Sequence, residues 1–311
     1  MGIMSNTWRA LPYPTQPGQV GGHEGVGKVV KLGAGADLGT VKVGDRVGVK
    51  WISAACQSCA ACLEGVEGVC FNQKVSGYYT PGTFQQYVLG PANYVTPIPE
   101  SLSSADAAPM LCAGVTTYAA LRRSQAKSGQ WVVISGAGGG LGHIAVQLAC
   151  RGMALRVIGI DHFSKETLVK DSGAEAFIDV TKFDDAGIAE EVKRITGGLG
   201  ASAVIVCTAA NKAYTQAMDF LRFGGTLVCV GVPEGELAPV AKAFPQVMVM
   251  KQLTITSVAV GNRREAIEVM DFAARGIVNT HYTVEKMDKL TDIFQRMDEG
   301  KLIGRVVLDL Q

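Results

Sequence analysis

Four cysteines stand within fifteen positions, Cys56, Cys59, Cys62 and Cys70, spaced C-x2-C-x2-C-x7-C. Four thiolates on one loop can close a tetrahedral zinc site that leaves no open position, and a closed site is structural. Such a site can order a lobe that has little core of its own. The rival readings are an iron–sulfur cluster and simple buried thiols. Against the cluster, the spacing is not the usual ferredoxin run and no proline follows Cys70.

A second dense constellation is Gly22-His23-Glu24-Gly25-Val26-Gly27, with Gly33 after five more residues. A lone cysteine, Cys112, lies far downstream in Pro109-Met110-Leu111-Cys112-Ala113-Gly114. One histidine, one cysteine and an optional carboxylate suit a zinc with an open position for substrate. Taken singly, a His-Glu pair is more often core or surface, and a lone buried cysteine is more often packing.

The third constellation is Gly136-Ala137-Gly138-Gly139-Gly140-Leu141-Gly142, which follows the apolar run Trp131–Ser135 and precedes a helical pattern. Glycines there let the chain turn tightly and bring helix N-terminal N–H groups close to a pyrophosphate. The strict G-x-G-x-x-G spacing is not met; Ala137-x-Gly139-x-x-Gly142 is the nearest fit. The next apolar run ends in Asp161. A carboxylate there can accept from adenosine ribose hydroxyls and repels a 2′-phosphate, which favours NAD over NADP. Its alternative role is a helix cap. Lys165 lies along the same ribose edge or on a solvated helix face.

These residues need two kinds of scaffold. From about residue 18 to 99 the chain is rich in Gly and Val, with strand-like runs at Val26–Leu32, Arg46–Trp51 and Thr83–Val88, a β-domain texture. After Pro99 the texture changes. Ser101–Arg123 reads as helix, with Ser103 or Ser104 able to cap it. Strands at Trp131–Ser135, Arg156–Asp161, Ala176–Val180, Ala203–Thr208, Thr226–Gly231 and Thr254–Val258 then alternate with helical patterns, which implies a parallel sheet covered on both faces. Arg264–Arg275 and Leu290–Glu299 read as amphipathic helices and Gly304–Leu310 as a last strand.

The length of 311 residues allows two domains, and 48% hydrophobic residues supply a full core. A net charge of +1 gives no electrostatic case for nucleic acid or anionic membrane. Apolar runs are strand-sized, far short of the roughly 20 residues of a membrane span. No basic-then-apolar leader opens the chain, and eight cysteines in a chain this long do not suggest a secreted disulfide scaffold, so the cytoplasm is the default compartment.

In this order the constellations resemble the zinc-dependent medium-chain alcohol dehydrogenases. Gly22-His23-Glu24-x2-Gly27-x5-Gly33 resembles that family's signature, and the cysteine loop, Leu111-Cys112-Ala113-Gly114, the glycine loop, Gly159-Ile160-Asp161 and Val260-Gly261-Asn262-Arg263 follow in sequence. The likeness runs essentially from end to end and is nearest to the tetrameric fungal type. It implies an α/β protein: a GroES-like β domain (residues 1–113), a doubly wound Rossmann domain (114–278) and a C-terminal return to the first domain (279–311).

The resemblance also implies His23 and Cys112 on a catalytic zinc, with Glu24 an alternating ligand or close neighbour, and Cys56, Cys59, Cys62 and Cys70 on a structural zinc. It implies NAD against residues 136–142, Asp161 and Lys165, with Val230, Gly231 and Val232 near the nicotinamide and Arg305 near the pyrophosphate. Trp51, and Trp8 on a less certain alignment, line a narrow pocket for a small primary alcohol or its aldehyde. Relatives carry an earlier Cys-His-Ser/Thr-Asp segment whose cysteine is a zinc ligand and whose hydroxyl opens a proton relay. This chain starts just after that motif, so the expectation is an incomplete first domain, a weakened catalytic zinc and low turnover. The alternatives are a catalytically silent, NAD-binding, zinc-stabilised paralogue or subunit, and a zinc-free quinone reductase, against which His23, Glu24 and the cysteine loop argue.

Overall fold

The computed structural model describes residues 17–36, 41–233 and 238–310. The chain divides into two compact units. The first takes the chain up to Val115, Ala259–Gly276 and the stretch from Thr280 onward; the second takes Thr116–Val258 and Ile277–Asn279. The expected boundary at 278 differs from this division at residues 259–276. The reason is a pair of anchors. Asn262 and Glu265 form a reciprocal capping box at the start of helix Arg263–Ala274. The Arg263 N–H then donates to the Glu67 carboxylate of the cysteine lobe at 2.6 Å, within the first unit.

The second unit is built on six parallel strands in the order Thr254–Ser257, Leu221–Cys229, Ala201–Val206, Trp131–Ser135, Arg156–Asp161, Ala176–Asp179. All six residues of Ala201–Val206 are buried, as a strand covered on both faces requires. Sequence order reverses between Trp131–Ser135 and Ala201–Val206, so the loops at their carboxyl ends stand at a topological switch point. Val133, Ile158, Val204 and Leu227 join Ile188, Val192, Ala217 and Phe220 from the neighbouring helices in one core.

The first unit has shorter strands. Gly25–Lys28 pairs antiparallel with Arg46–Val49, which pairs with Thr96–Pro97. Ile52–Ala54 pairs with Lys74–Val75. Tyr282–Lys286, not expected from the sequence, runs parallel to Arg305–Asp309. Thr83–Val88 was expected as a strand and is not one. Its first residues donate instead to the glycine segment: Thr83 N–H to the Gly22 carbonyl and Phe84 N–H to that of Gly21, both at 3.0 Å.

The helix expected over Ser101–Arg123 is broken into Ser104–Ala107, a 3₁₀ turn Ala108–Leu111 and Ala113–Arg123. Pro109, with no N–H to donate, opens the 3₁₀ turn. Ser103 caps the first piece, accepting from the Asp106 N–H. No helix among the described residues is long and apolar enough to cross a membrane.

Candidate metal and dinucleotide sites

In the first unit the four cysteine sulfurs lie within 4.8 Å of one another. Local structure accounts for this. Gln57 takes a positive φ of 62°, Cys59 stands at the N-cap of the short helix Ala60–Leu63, and the 3₁₀ turn Glu67–Val69 returns Cys70 to the cluster. The Cys56–Cys70 and Cys59–Cys70 sulfur separations are 3.5 and 3.8 Å. Tetrahedral zinc at 2.3 Å from each sulfur needs about 3.8 Å.

Backbone amides face the sulfurs: Cys56 N–H to Cys70 Sγ at 3.2 Å, and Cys59 N–H to Cys56 Sγ at 3.3 Å. Amides from Ser58 and Cys59 draw the Cys56 pKa down to about 5. The Phe71 N–H, with that of Cys62, lowers that of Cys59. Cys62 is pushed the other way, to about 12, by burial and by the neighbouring sulfurs. Thiolates this close repel, and a dication is what removes the repulsion. The set fits a structural zinc.

The second cluster is also in the first unit. Gly22 has a φ of 92°, and a Cβ there would stand 2.7 Å from the Phe84 ring, so glycine is required for the turn that presents His23. His23 is buried, and its Nε2 has no hydrogen-bond partner among the described residues. Burial lowers its pKa to about 4; the Arg305 charge adds to the drop and Glu24 opposes it. A neutral imidazole with a free ring nitrogen is the form that binds metal. The Trp51 ring meets His23 edge-on at 4.8 Å between centroids, and Tyr78 meets Trp51 at 4.9 Å.

Glu24 is already engaged. Its carboxylate accepts from Arg305 Nη2 at 2.8 and 2.5 Å and from the Ala113 N–H at 3.3 Å. Both side chains of the ion pair are about nine-tenths buried, at 9% and 11% exposure. The Ala113 contact spans 89 positions and sets Glu24 one residue from Cys112. Even so, the four-cysteine set is the single group of three or more His, Cys, Asp or Glu ligand atoms that comes together among the described residues; His23, Glu24 and Cys112 do not form a second. Arg305, which the resemblance places near a pyrophosphate, bonds Glu24 through Nη2. Trp8 lies outside the described residues.

The glycine loop, Asp161 and Lys165 converge in the second unit. Gly138 N–H donates to Asp161 Oδ2 at 2.7 Å, and His162 N–H to Oδ1 at 2.7 Å. The Lys165 Cβ lies against Gly138. A Cβ at Gly142 would fall 2.0 Å from the Gly136 carbonyl, so only glycine lets the helix start this close to the turn. Gly231 N–H donates to the Val206 carbonyl at 2.9 Å, and the Tyr214 hydroxyl donates to the Gly231 carbonyl. Gly136 and Gly231 both approach Thr208, so Val230, Gly231 and Val232 come to the switch point beside the glycine turn. The glycine cradle and its carboxylate fit a dinucleotide.

Three features escaped the sequence. Lys50 is 1% exposed, donates to the Tyr94 carbonyl at 2.9 Å and lies 3.9 Å from that ring's centre. Burial drives its pKa down to about 7; Glu67 opposes the drop and Arg263 adds to it. Glu67 anchors Arg263 to the cysteine lobe. His143 is buried beneath the glycine loop. A lysine next to a tryptophan carries no burial signal, and the Glu67–Arg263 pair spans 196 positions.

Residues 140–275 match the family described as "Zinc-binding dehydrogenase", and residues 1–100 match "Alcohol dehydrogenase GroES-like domain". "Alcohol dehydrogenase 2" of Emericella nidulans is 66% identical over 99% of this chain and 86% of its own length. The chain belongs to the zinc-binding alcohol dehydrogenase family. The "Alcohol dehydrogenase" of Schizosaccharomyces pombe is 44% identical over 96% of this chain and 83% of its own. The alcohol dehydrogenase crystal structure from the archaeon Aeropyrum pernix superposes with a TM-score of 0.84 at 28% identity, covering 97% of this chain and 86% of that one. Membership agrees with the architecture above, a GroES-like domain and a parallel-sheet Rossmann domain, and carries an alcohol or aldehyde as substrate class.

Proposed function

We propose that this alcohol dehydrogenase family chain oxidises a small primary alcohol reversibly with NAD, using metal ligands contributed by His23 and Cys112. The observation that carries the reading is the buried, neutral His23 with an unpartnered Nε2, one residue from a Glu24 whose carboxylate is bonded beside Cys112. When bound, zinc supplies a Lewis acid that makes the alcohol more acidic, and NAD supplies the hydride acceptor. The protein's own residues do the rest. Trp51 fixes the His23 ring by edge contact and narrows the space beside it. Arg305 engages the Glu24 carboxylate and fixes its position beside Cys112. Asp161 keeps negative charge beside the glycine loop, where a 2′-phosphate would be repelled, which favours NAD. Lys165 supplies the ribose edge opposite it, and Val230, Gly231 and Val232 the nicotinamide end.

With its donors drawn from distant segments and Glu24 tied to Arg305, the metal at His23 and Cys112 is held less firmly than the four-cysteine metal. The family resemblance supports a homo-oligomer, a tetramer, and the cytoplasm is the default compartment. The deciding experiment is NADH formation from ethanol and NAD in saturating zinc, with preparations free of any longer form. The expected result is an ethanol-dependent rate that vanishes in His23→Ala and falls with NADP. No ethanol-dependent NADH, with NADH binding intact, would favour the silent, NAD-binding alternative.

A further inference from the structure

Beneath the glycine loop runs a polar column, buried at His143 and Gln147 and open to solvent at Arg151. From Gly139 in the turn, His143, Gln147 and Arg151 follow at four-residue steps along a helix that passes from α geometry (Gly142–Gln147) directly into π geometry (Leu148–Gly152). His143 is fully buried and Gln147 nearly so. His143 Nδ1 lies 2.8 Å from the Gly139 carbonyl, and the His143 backbone N–H reaches the same oxygen at 3.2 Å. A carbonyl has no proton to give, so Nδ1 carries the hydrogen, and both lone pairs of that oxygen are taken.

Below, the Gln147 side-chain amide donates to the His143 carbonyl at 3.1 Å and to the Asn279 carbonyl at 2.8 Å. Its oxygen accepts from the Asn279 N–H at 2.9 Å and from Arg151 at 3.1 Å. The column is therefore anchored at its far end.

The consequence lies in the peptide between Gly139 and Gly140. The described chain has no cis peptide bonds, so this unit is planar with its C=O and N–H opposed. Fixing the Gly139 carbonyl inward turns the Gly140 N–H outward from the opening turn, where no earlier turn can accept it. We infer that His143 is a positioning residue for the cofactor: its ring clamps the Gly139 carbonyl and so aims the Gly140 amide at a dinucleotide pyrophosphate. The inference rests on the dinucleotide reading of this loop. The His143 backbone N–H already holds the Gly139 carbonyl at 3.2 Å; among three adjacent glycines, Gly138 to Gly140, the ring adds the second, shorter restraint that keeps the peptide from tilting.

Two variants separate aiming from packing. His143→Leu keeps the volume and removes the donor; His143→Asn places an amide N–H near the Nδ1 position. NADH affinity is read by fluorescence titration, with melting temperature alongside. The expected result is an affinity loss of roughly tenfold or more in His143→Leu, as for other groups that orient a binding group, with most of the affinity kept in His143→Asn. Equal NADH affinity in His143→Leu and the wild type would overturn the inference and leave the dinucleotide reading standing. So would equal losses in both variants. Wild-type chain that bound no NADH would overturn both. Should His143→Leu fail to fold, ring nitrogen NMR of the wild type decides: a proton on Nδ1 is expected, and a ring protonated on Nε2 alone contradicts the clamp.

Discussion

The four-cysteine cluster and the region proposed around His23 lie in the same unit, draw on different donors and are arranged in opposite ways. In the cysteine lobe four sulfurs from fifteen consecutive positions already stand at zinc spacing, with amides aimed at them. Around His23 the donors come from segments 89 positions apart, and the carboxylate among them is occupied by a buried arginine. A local site is set by short turns and costs little chain entropy to close. A non-local site depends on the whole unit, and its charged members find protein partners first. The first arrangement suits a metal that is part of the fold; the second, on the function proposed above, suits one held more loosely.

Breaking the local site should have the largest effect. Cys70→Ser removes one of four ligands and the lobe's bound metal with it, so we expect a loss of about 4 kcal/mol or more and one fewer zinc per chain. Thermal melting with elemental analysis checks both; a wild-type melt would show that the lobe does not depend on metal.

Next in size is the ion pair at the non-local site. Arg305→Met strands the Glu24 carboxylate in a buried position, at an expected cost of about 3–5 kcal/mol. Adding Glu24→Gln should recover much of that. If the double variant is no more stable than Arg305→Met in denaturant titrations, the pair does not explain Glu24's placement.

Lys50 sharpens the comparison through pH, because it reports on the packing of the cysteine lobe's anchor. Its pKa is about 10.5 unfolded and about 7 folded. Between these values the unfolded chain holds a proton that the folded chain has lost, so stability rises with pH across that window. Below pH 7 both states hold the proton and the burial penalty is full. Lys50→Met should therefore gain over wild type by up to a few kcal/mol near pH 6.5, shrinking toward pH 10. Parallel melting curves for the two proteins over that range would contradict a neutralised Lys50. The smallest effect expected is Asn262→Ala, about 1 kcal/mol from loss of the capping box that docks helix Arg263–Ala274.

What the sequence made legible follows the same local and non-local division. The cysteine spacing, the glycine turn with Asp161 and the six strands of the sheet are patterns of close neighbours, and the structure assembles them as read. Tyr282–Lys286 was missed because its burial does not alternate strongly, and its partner lies beyond an intervening helix. Thr83–Val88 has strand composition, but its first amides go to the Gly21 and Gly22 carbonyls of an irregular segment. The pairing of Arg305 with Glu24, 281 positions away, leaves no trace in the sequence around either residue. The Pro109 break is legible from its absent N–H, although the helical pattern continues on both sides of it.

The central claim is that one metal is part of the fold and the other is held weakly. Zinc per chain after exhaustive dialysis against a chelator of moderate strength tests it most directly, on the wild type, His23→Ala and Cys70→Ser. The account predicts about one zinc retained in the wild type and in His23→Ala, and close to none in Cys70→Ser. Two zincs retained by the wild type, or loss of the retained zinc in His23→Ala, would contradict it.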